Sequence, residues 1–195
     1  GVIGSAATWN GMQSVLGKAL ASFATTYPSA PAPVTTRNHW SVWVSRNAAG
    51  TPDQTAQAKL FQNAGIEMDV SYAAYPNRWG YMTGSGLPMK FLDTVTGAVI
   101  PVYEQATQYE DDIQISNVNY ALNWNLATAQ AHYEKSLSES LTKYNTVVTM
   151  LFHPDHWSSY SSYVQTVLQY AQTNSIPMYT TTAWLQFWKG RAATT

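Results

Sequence analysis

Apolar and polar positions alternate along the chain in two periods, one helical and one extended. Met12, Val15, Leu16, Ala19, Leu20 and Phe23 fall on one face at helical spacing, which predicts a helix over 11–26. Tyr27-Pro28-Ser29-Ala30-Pro31-Ala32-Pro33 cannot continue it, because proline lacks an amide hydrogen and crowds the preceding turn. Val34-Thr35-Thr36 reads as a short β-branched strand that ends at Arg37-Asn38-His39-Trp40. Thr51-Pro52-Asp53 predicts a second helix start, with Thr51 as N-cap and Pro52 at the first helical position. Ala56, Leu60, Phe61 and Ala64 lie along that helix and Gly65 closes it. Residues 66–70 predict a second strand, 93–97 a turn, and 99–103 a third strand in which Pro101 is an irregularity. A long helix is predicted over 118–143, with Leu126, Ala129, Tyr133, Leu137 and Leu141 on one face. Beyond it come a helix at 158–173, a strand at 176–180 and a last helix capped by Thr182, with Ala183, Trp184, Leu185, Phe187 and Trp188.

The strongest extended signal is Thr146-Val147-Val148-Thr149-Met150-Leu151-Phe152, uncharged throughout and halted at His153-Pro154-Asp155-His156-Trp157. Such a run reads as a strand buried on both faces, as in parallel sheets. Strand and helix alternate about five times after the first helix, which predicts an α/β fold with a mainly parallel sheet or a (β/α) barrel, in a single domain. A closed parallel barrel takes roughly seven or eight strands. Either strands escape this reading or the chain starts after the first units of the barrel. The opening Gly1-Val2-Ile3-Gly4-Ser5 has neither the charged nor the apolar region of a signal peptide, and Gly1 stands where an initiator Met would. The expectation is a processed or excised piece of a longer protein.

Composition narrows the class. Of 195 residues, 45% are hydrophobic, enough for a packed core, while only 11% are charged and the net charge is −1. No basic stripe argues for nucleic acid or an anionic membrane, and no apolar run is long enough to span a bilayer. Cysteine is absent, which removes disulfides and thiolate metal sites. Eight Trp and thirteen Tyr with few charges give the composition common in secreted proteins that handle glycans, so a secreted, extracellular protein is expected.

Three predicted strands end in useful chemistry: Arg37 with His39, Asp69, and His153. Parallel strands bring their carboxyl ends to one rim, so these residues can converge. His153 suits a general acid or base at neutral pH. Asp69 could orient an imidazole, and Arg37 could hold a carboxylate or oxyanion by a two-point contact. The plain alternatives are an N-cap for Asp69 and a loop tie for Arg37. His132 lies mid-helix and reads as a surface or packing residue. Residues 71–98 form a connection long enough to carry a function, rich in Gly, Pro and aromatics.

Arg37-Asn38-His39-Trp40, Gly65-Ile66-Glu67-Met68-Asp69, Thr83-Gly84-Ser85-Gly86-Leu87-Pro88-Met89 and Leu151-Phe152-His153-Pro154 together resemble divergent bacterial polysaccharide deacetylases, carbohydrate esterase family four. The resemblance runs from about residue 30 to the end and is best at Leu151-Phe152-His153. It implies a deformed (β/α) barrel, removal of acetyl groups from glycans such as chitin, peptidoglycan or xylan, and a divalent metal, usually zinc. It also implies roles: His153 as general acid for the leaving amine or alkoxide, Asp69 as the carboxylate that tunes it, Arg37 as the residue that holds the base. The chain departs from the family at three points. Asn38 stands where a proline is usual, no aspartate pair precedes Arg37, and the H-x-x-x-H metal motif is missing. Asp111-Asp112 reads as a solvated or capping pair instead.

A zinc site needs about three protein ligands, and its ligands are not evident here. Among four histidines, His39 and His156 are the first to examine. The leading expectation is a metal-dependent glycan deacetylase that, as this chain alone, works poorly or not at all. The alternative is a non-catalytic glycan-binding domain on the same scaffold, with Trp40, Trp43, Tyr72, Tyr75, Trp79, Tyr81 and Trp157 stacking on sugars. A glycoside hydrolase using Asp69 and Asp155 ranks last.

Overall fold

The computed structural model describes residues 7–39, 42–74, 86–116 and 121–193. They form two compact units interleaved in sequence, one drawn from Gly1–Tyr72, Pro88–Gln105 and Thr181–Thr195, the other from Ala73–Leu87 and Ala106–Thr180. Both mix helices with parallel strand pairs.

The first unit is a small sheet between helices. Helix α1 (Trp9–Thr26) is capped by Thr8, whose hydroxyl accepts the Gly11 N–H at 3.1 Å. Strands β1 (Thr35–Thr36), β2 (Met68–Asp69) and β4 (Val99–Glu104) run parallel, and β3 (Met89–Leu92) pairs antiparallel with β4, in the order β1-β2-β4-β3. Helix α2 (Ala56–Asn63) and α1 cover one face, where Leu16, Ala58 and Phe61 pack on Ile66, Ile100 and Val102. Helix α6 (Thr181–Ala192) covers the other, with Leu185, Trp184 and Trp188 against Met68, Val70 and Tyr103. Pro101 falls where the ladder skips: Lys90 pairs with Tyr103 but Phe91 pairs with Ile100. The bulge absorbs a residue that cannot donate to a ladder. The predicted turn at 93–97 links β3 and β4, with Gly97 at φ +74°. Asp93 ties it by accepting from Val95 N–H and Thr96 Oγ1, and Lys59 of α2 bridges Asp93 and Asp53 at 2.7 and 2.8 Å.

Helix α2 starts later than Thr51 and Pro52 suggest. Asp53, not Thr51, organises its start, since Oδ1 accepts both the N–H and the hydroxyl of Thr55.

The second unit packs α4 (Leu126–Glu139) against α5 (Trp157–Thr173) over a strand pair, β5 (Tyr109–Glu110) and β6 (Met150–Leu151). Ala129, Tyr133 and Leu137 meet Tyr163, Val167 and Ala171 around Tyr109, each row at four-residue spacing on its helix. Asn125 caps α4 through the Thr128 N–H. Leu141, expected on that face, is exposed because Ser140–Tyr144 widens into a π-type turn. His132 packs as expected, 4.8 Å from Trp124 between ring centroids and bonded through Nδ1 to the Tyr109 hydroxyl at 2.7 Å.

Two predicted strands differ. Only Met150 and Leu151 of 146–152 pair as strand, and they are half-buried rather than buried on both faces. Gln108 explains the shortfall: its Oε1 accepts the Thr149 N–H at 2.7 Å, where a neighbouring strand's carbonyl would otherwise act. Residues 176–180 are irregular, and Ile176 N–H returns to Ala171 at the end of α5.

Candidate active site

In β5 and β6, Tyr109 faces Met150 and Glu110 faces Leu151, so both strands leave the ladder at one level. The first continues into a short helix, α3 (Asp111–Ile115), and the second into Phe152, His153 and a 3-10 turn over Pro154–His156. Pro154 begins that turn, where its missing N–H costs no bond. His153 therefore stands at the carboxyl end of a parallel strand, as expected.

Asp111 holds it there. This carboxylate is almost wholly buried; Oδ2 accepts the His153 backbone N–H at 2.7 Å and Oδ1 accepts from ring Nδ1 at 2.6 Å. Because a carboxylate only accepts, Nδ1 carries the hydrogen and Nε2 is left for chemistry. Nε2 lies 3.7 Å from Glu110 Oε1. Burial alone would lower the His153 pKa; the bond and charge of Asp111, with the charges of Asp112 and Glu110, outweigh burial and raise it above the ordinary histidine value.

Glu110, Asp112 and His153 each bring one donor atom within 4.8 Å of the others. Asp112 Oδ1 is buried with no hydrogen-bond partner among the described residues, as is the Tyr163 hydroxyl of α5. An orphaned carboxylate oxygen in a group of O, O and N donors fits a divalent cation. The pairing of Asp111 with Nδ1 is the outer support that a metal-bound imidazole usually has.

The Asp111-Asp112 pair, read from sequence as solvated or capping, is thus corrected: Asp111 is buried and bonded to His153. The available signal was three consecutive acids, Glu110 to Asp112, in a chain with only 11 acidic residues. His156 stacks beside His153, ring centroids 5.4 Å apart, and is half exposed. Phe152 precedes His153 and Trp157 lies four residues beyond it; both are exposed, with ring centroids 6.2 Å apart. Asp155 is exposed.

Arg37 and Asp69 belong to the first unit. Thr36, Asp69 and Glu104 form one row across β1, β2 and β4, and Arg37 follows Thr36. Asp69, expected to tune His153, instead accepts from the N–H and hydroxyl of Ser71, at 3.1 and 2.5 Å; the carboxylate bonded to His153 is Asp111. Burial pushes the Asp69 pKa up to about 6 despite the Ser71 bonds. Tyr72 is exposed in its ring and donates its N–H to Glu104. His39 is exposed. Trp40, Trp79 and Tyr81 lie outside the described residues.

No protein-family model, curated protein or solved structure matches this chain. No helix among the described residues is long and apolar enough to cross a membrane.

Proposed function

We propose that this chain is a secreted hydrolase of the polysaccharide deacetylase kind, a (β/α)-barrel relative acting on acetylated glycans from the rim of β5 and β6. The observation that supports this reading is the Asp111 carboxylate gripping both the backbone and the ring of His153, with Glu110 and Asp112 beside it. Asp111 holds the Nδ1 hydrogen and leaves Nε2 as the open ring atom, which when protonated gives a hydrogen to a leaving amine or alkoxide and when unprotonated can ligate an ion. The bond and charge of Asp111, with the charges of Asp112 and Glu110, outweigh burial and favour the protonated ring.

A divalent ion would be held by Glu110, Asp112 and His153. When bound, such an ion polarises an acetyl carbonyl and lowers the pKa of a bound water from about 15.7 toward about 7. Motifs alone predict a poor or inactive enzyme for want of ligands; this group supplies candidate donors and shifts the expectation toward activity. Nε2 cannot carry a proton and an ion together, so in the ion-bound form the proton for the leaving group has to come from another donor. His156, stacked on His153 with ring centroids 5.4 Å apart, is the neighbouring imidazole to supply it.

The test is acetate release from acetylated chitin and xylan oligomers with added zinc or cobalt. Zinc-dependent release by the wild type, lowered about 10²-fold or more in His153→Ala, supports the reading. Absence of release with zinc present overturns it. The second reading, glycan binding without catalysis, draws on exposed Trp157 and Phe152 flanking His153. It predicts oligomer binding that survives His153→Ala and weakens in Trp157→Ala.

A further inference from the structure

Two carboxyls of the first unit play no part in that chemistry. Asp69 closes β2, Glu104 closes β4, and the parallel register sets them side by side. Their neighbours Met68 and Tyr103, also paired, pack with Leu185 of α6, so Asp69 and Glu104 project together from the opposite face. Asp69 is 0% exposed and Glu104 8%. One oxygen of each is satisfied: Asp69 Oδ1 by Ser71, and Glu104 Oε1 by the Tyr72 N–H at 2.9 Å. Asp69 Oδ2 and Glu104 Oε2 are buried with no donor among the described residues. Two ionised carboxylates in this position would repel each other with desolvated oxygens, whereas one proton between them supplies the missing donor.

We propose that Asp69 and Glu104 form a one-proton site, Oδ2 and Oε2 sharing a single hydrogen, and that this hydrogen is a pH-sensitive latch between the ends of β2 and β4. Lys59 of α2 is committed to Asp53 and Asp93, Lys90 of β3 lies over the Tyr103 ring, Lys189 of α6 pairs with Glu67, and Arg191 lies over Trp188. Lys18 of α1 is exposed. Arg37, one residue past the register partner of Asp69, is half-buried.

Burial raises Asp69 to about 6, and burial with the Asp69 charge raises Glu104 well above the carboxylate range. Both folded values exceed the unfolded ones of roughly 4, so the folded chain binds more protons. The stabilisation is complete below about pH 4 and is lost as pH rises through about 6 and beyond.

The test compares denaturant unfolding of the wild type and Glu104→Gln across this range. A glutamine amide donates to Asp69 Oδ2 at every pH, so the variant should lose the extra pH dependence, a difference of about one bound proton near pH 6–7. Equal pH slopes in the two proteins overturn the proposal. Infrared spectra of the wild type give a check that needs no variant to fold. A protonated-carboxyl band persisting at neutral pH supports the latch, and its absence overturns it.

Discussion

At the scale of single residues, the candidate site depends on one carboxylate that the sequence hides. His153 is legible because an uncharged β-branched run halts at it. Asp111 is not, because β5 spans only Tyr109–Glu110, too short to show a period of two. Asp111→Asn should let the His153 pKa fall, since the bond to Asp111 is the largest influence raising it. An NMR titration of the ring would register this as a shift to lower pH, and an unmoved titration would remove Asp111 from its role. A raised histidine pKa stabilises below the unfolded value of about 6.5, and that stabilisation fades as pH rises through the folded value. Asp111→Asn should therefore cost more stability in mild acid than at alkaline pH. Gly86 is a second such residue. It holds φ +67°, and a Cβ there would meet the Thr146 side chain and the Val147 carbonyl oxygen, the latter at 2.8 Å. That close approach gives a reason for glycine in Gly84-Ser85-Gly86. Gly86→Ala should destabilise by about 1–3 kcal/mol, read as a lowered unfolding midpoint.

At the scale of elements, helices were easier to read than strands. The rows Ala129-Tyr133-Leu137 and Tyr163-Val167-Ala171 repeat every four residues; the helix predicted over 158–173 formed over Trp157–Thr173, whereas the one predicted over 118–143 formed only over Leu126–Glu139. Strands here are two to six residues long, so apolar content overstated them at 146–149 and 176–180. Side chains such as Gln108 take over the backbone bonding that a longer ladder would supply. Helix α6 shows only a faint apolar stripe, yet Leu185 is fully buried against Met68, Val70 and Tyr103. Leu185→Ala should cost about 2–5 kcal/mol in denaturant unfolding. A cost below about 0.5 kcal/mol, the usual size of a surface change, would contradict the packing of α6 on this sheet.

At the scale of the whole molecule, parallel strands end in acidic or basic side chains in both units: Asp69 and Glu104 in one, Glu110 in the other, with Arg37 and His153 shortly beyond. The placement of Arg37, Asp69 and His153 was legible in outline, because apolar or β-branched runs stop there; that of Glu104 and Glu110 was not. How each acid pairs was not, because pairing depends on register and burial. The central claim is that the acids beside His153 form a cation site. Calorimetric titration of the chain with zinc tests it most directly. The account predicts one zinc per chain at pH 7, weakened about tenfold or more by Asp112→Asn. Below the His153 pKa the affinity should fall about tenfold per pH unit, as a proton displaces the ion from Nε2. No zinc binding at pH 7, or binding indifferent to Asp112→Asn and His153→Ala, would contradict it.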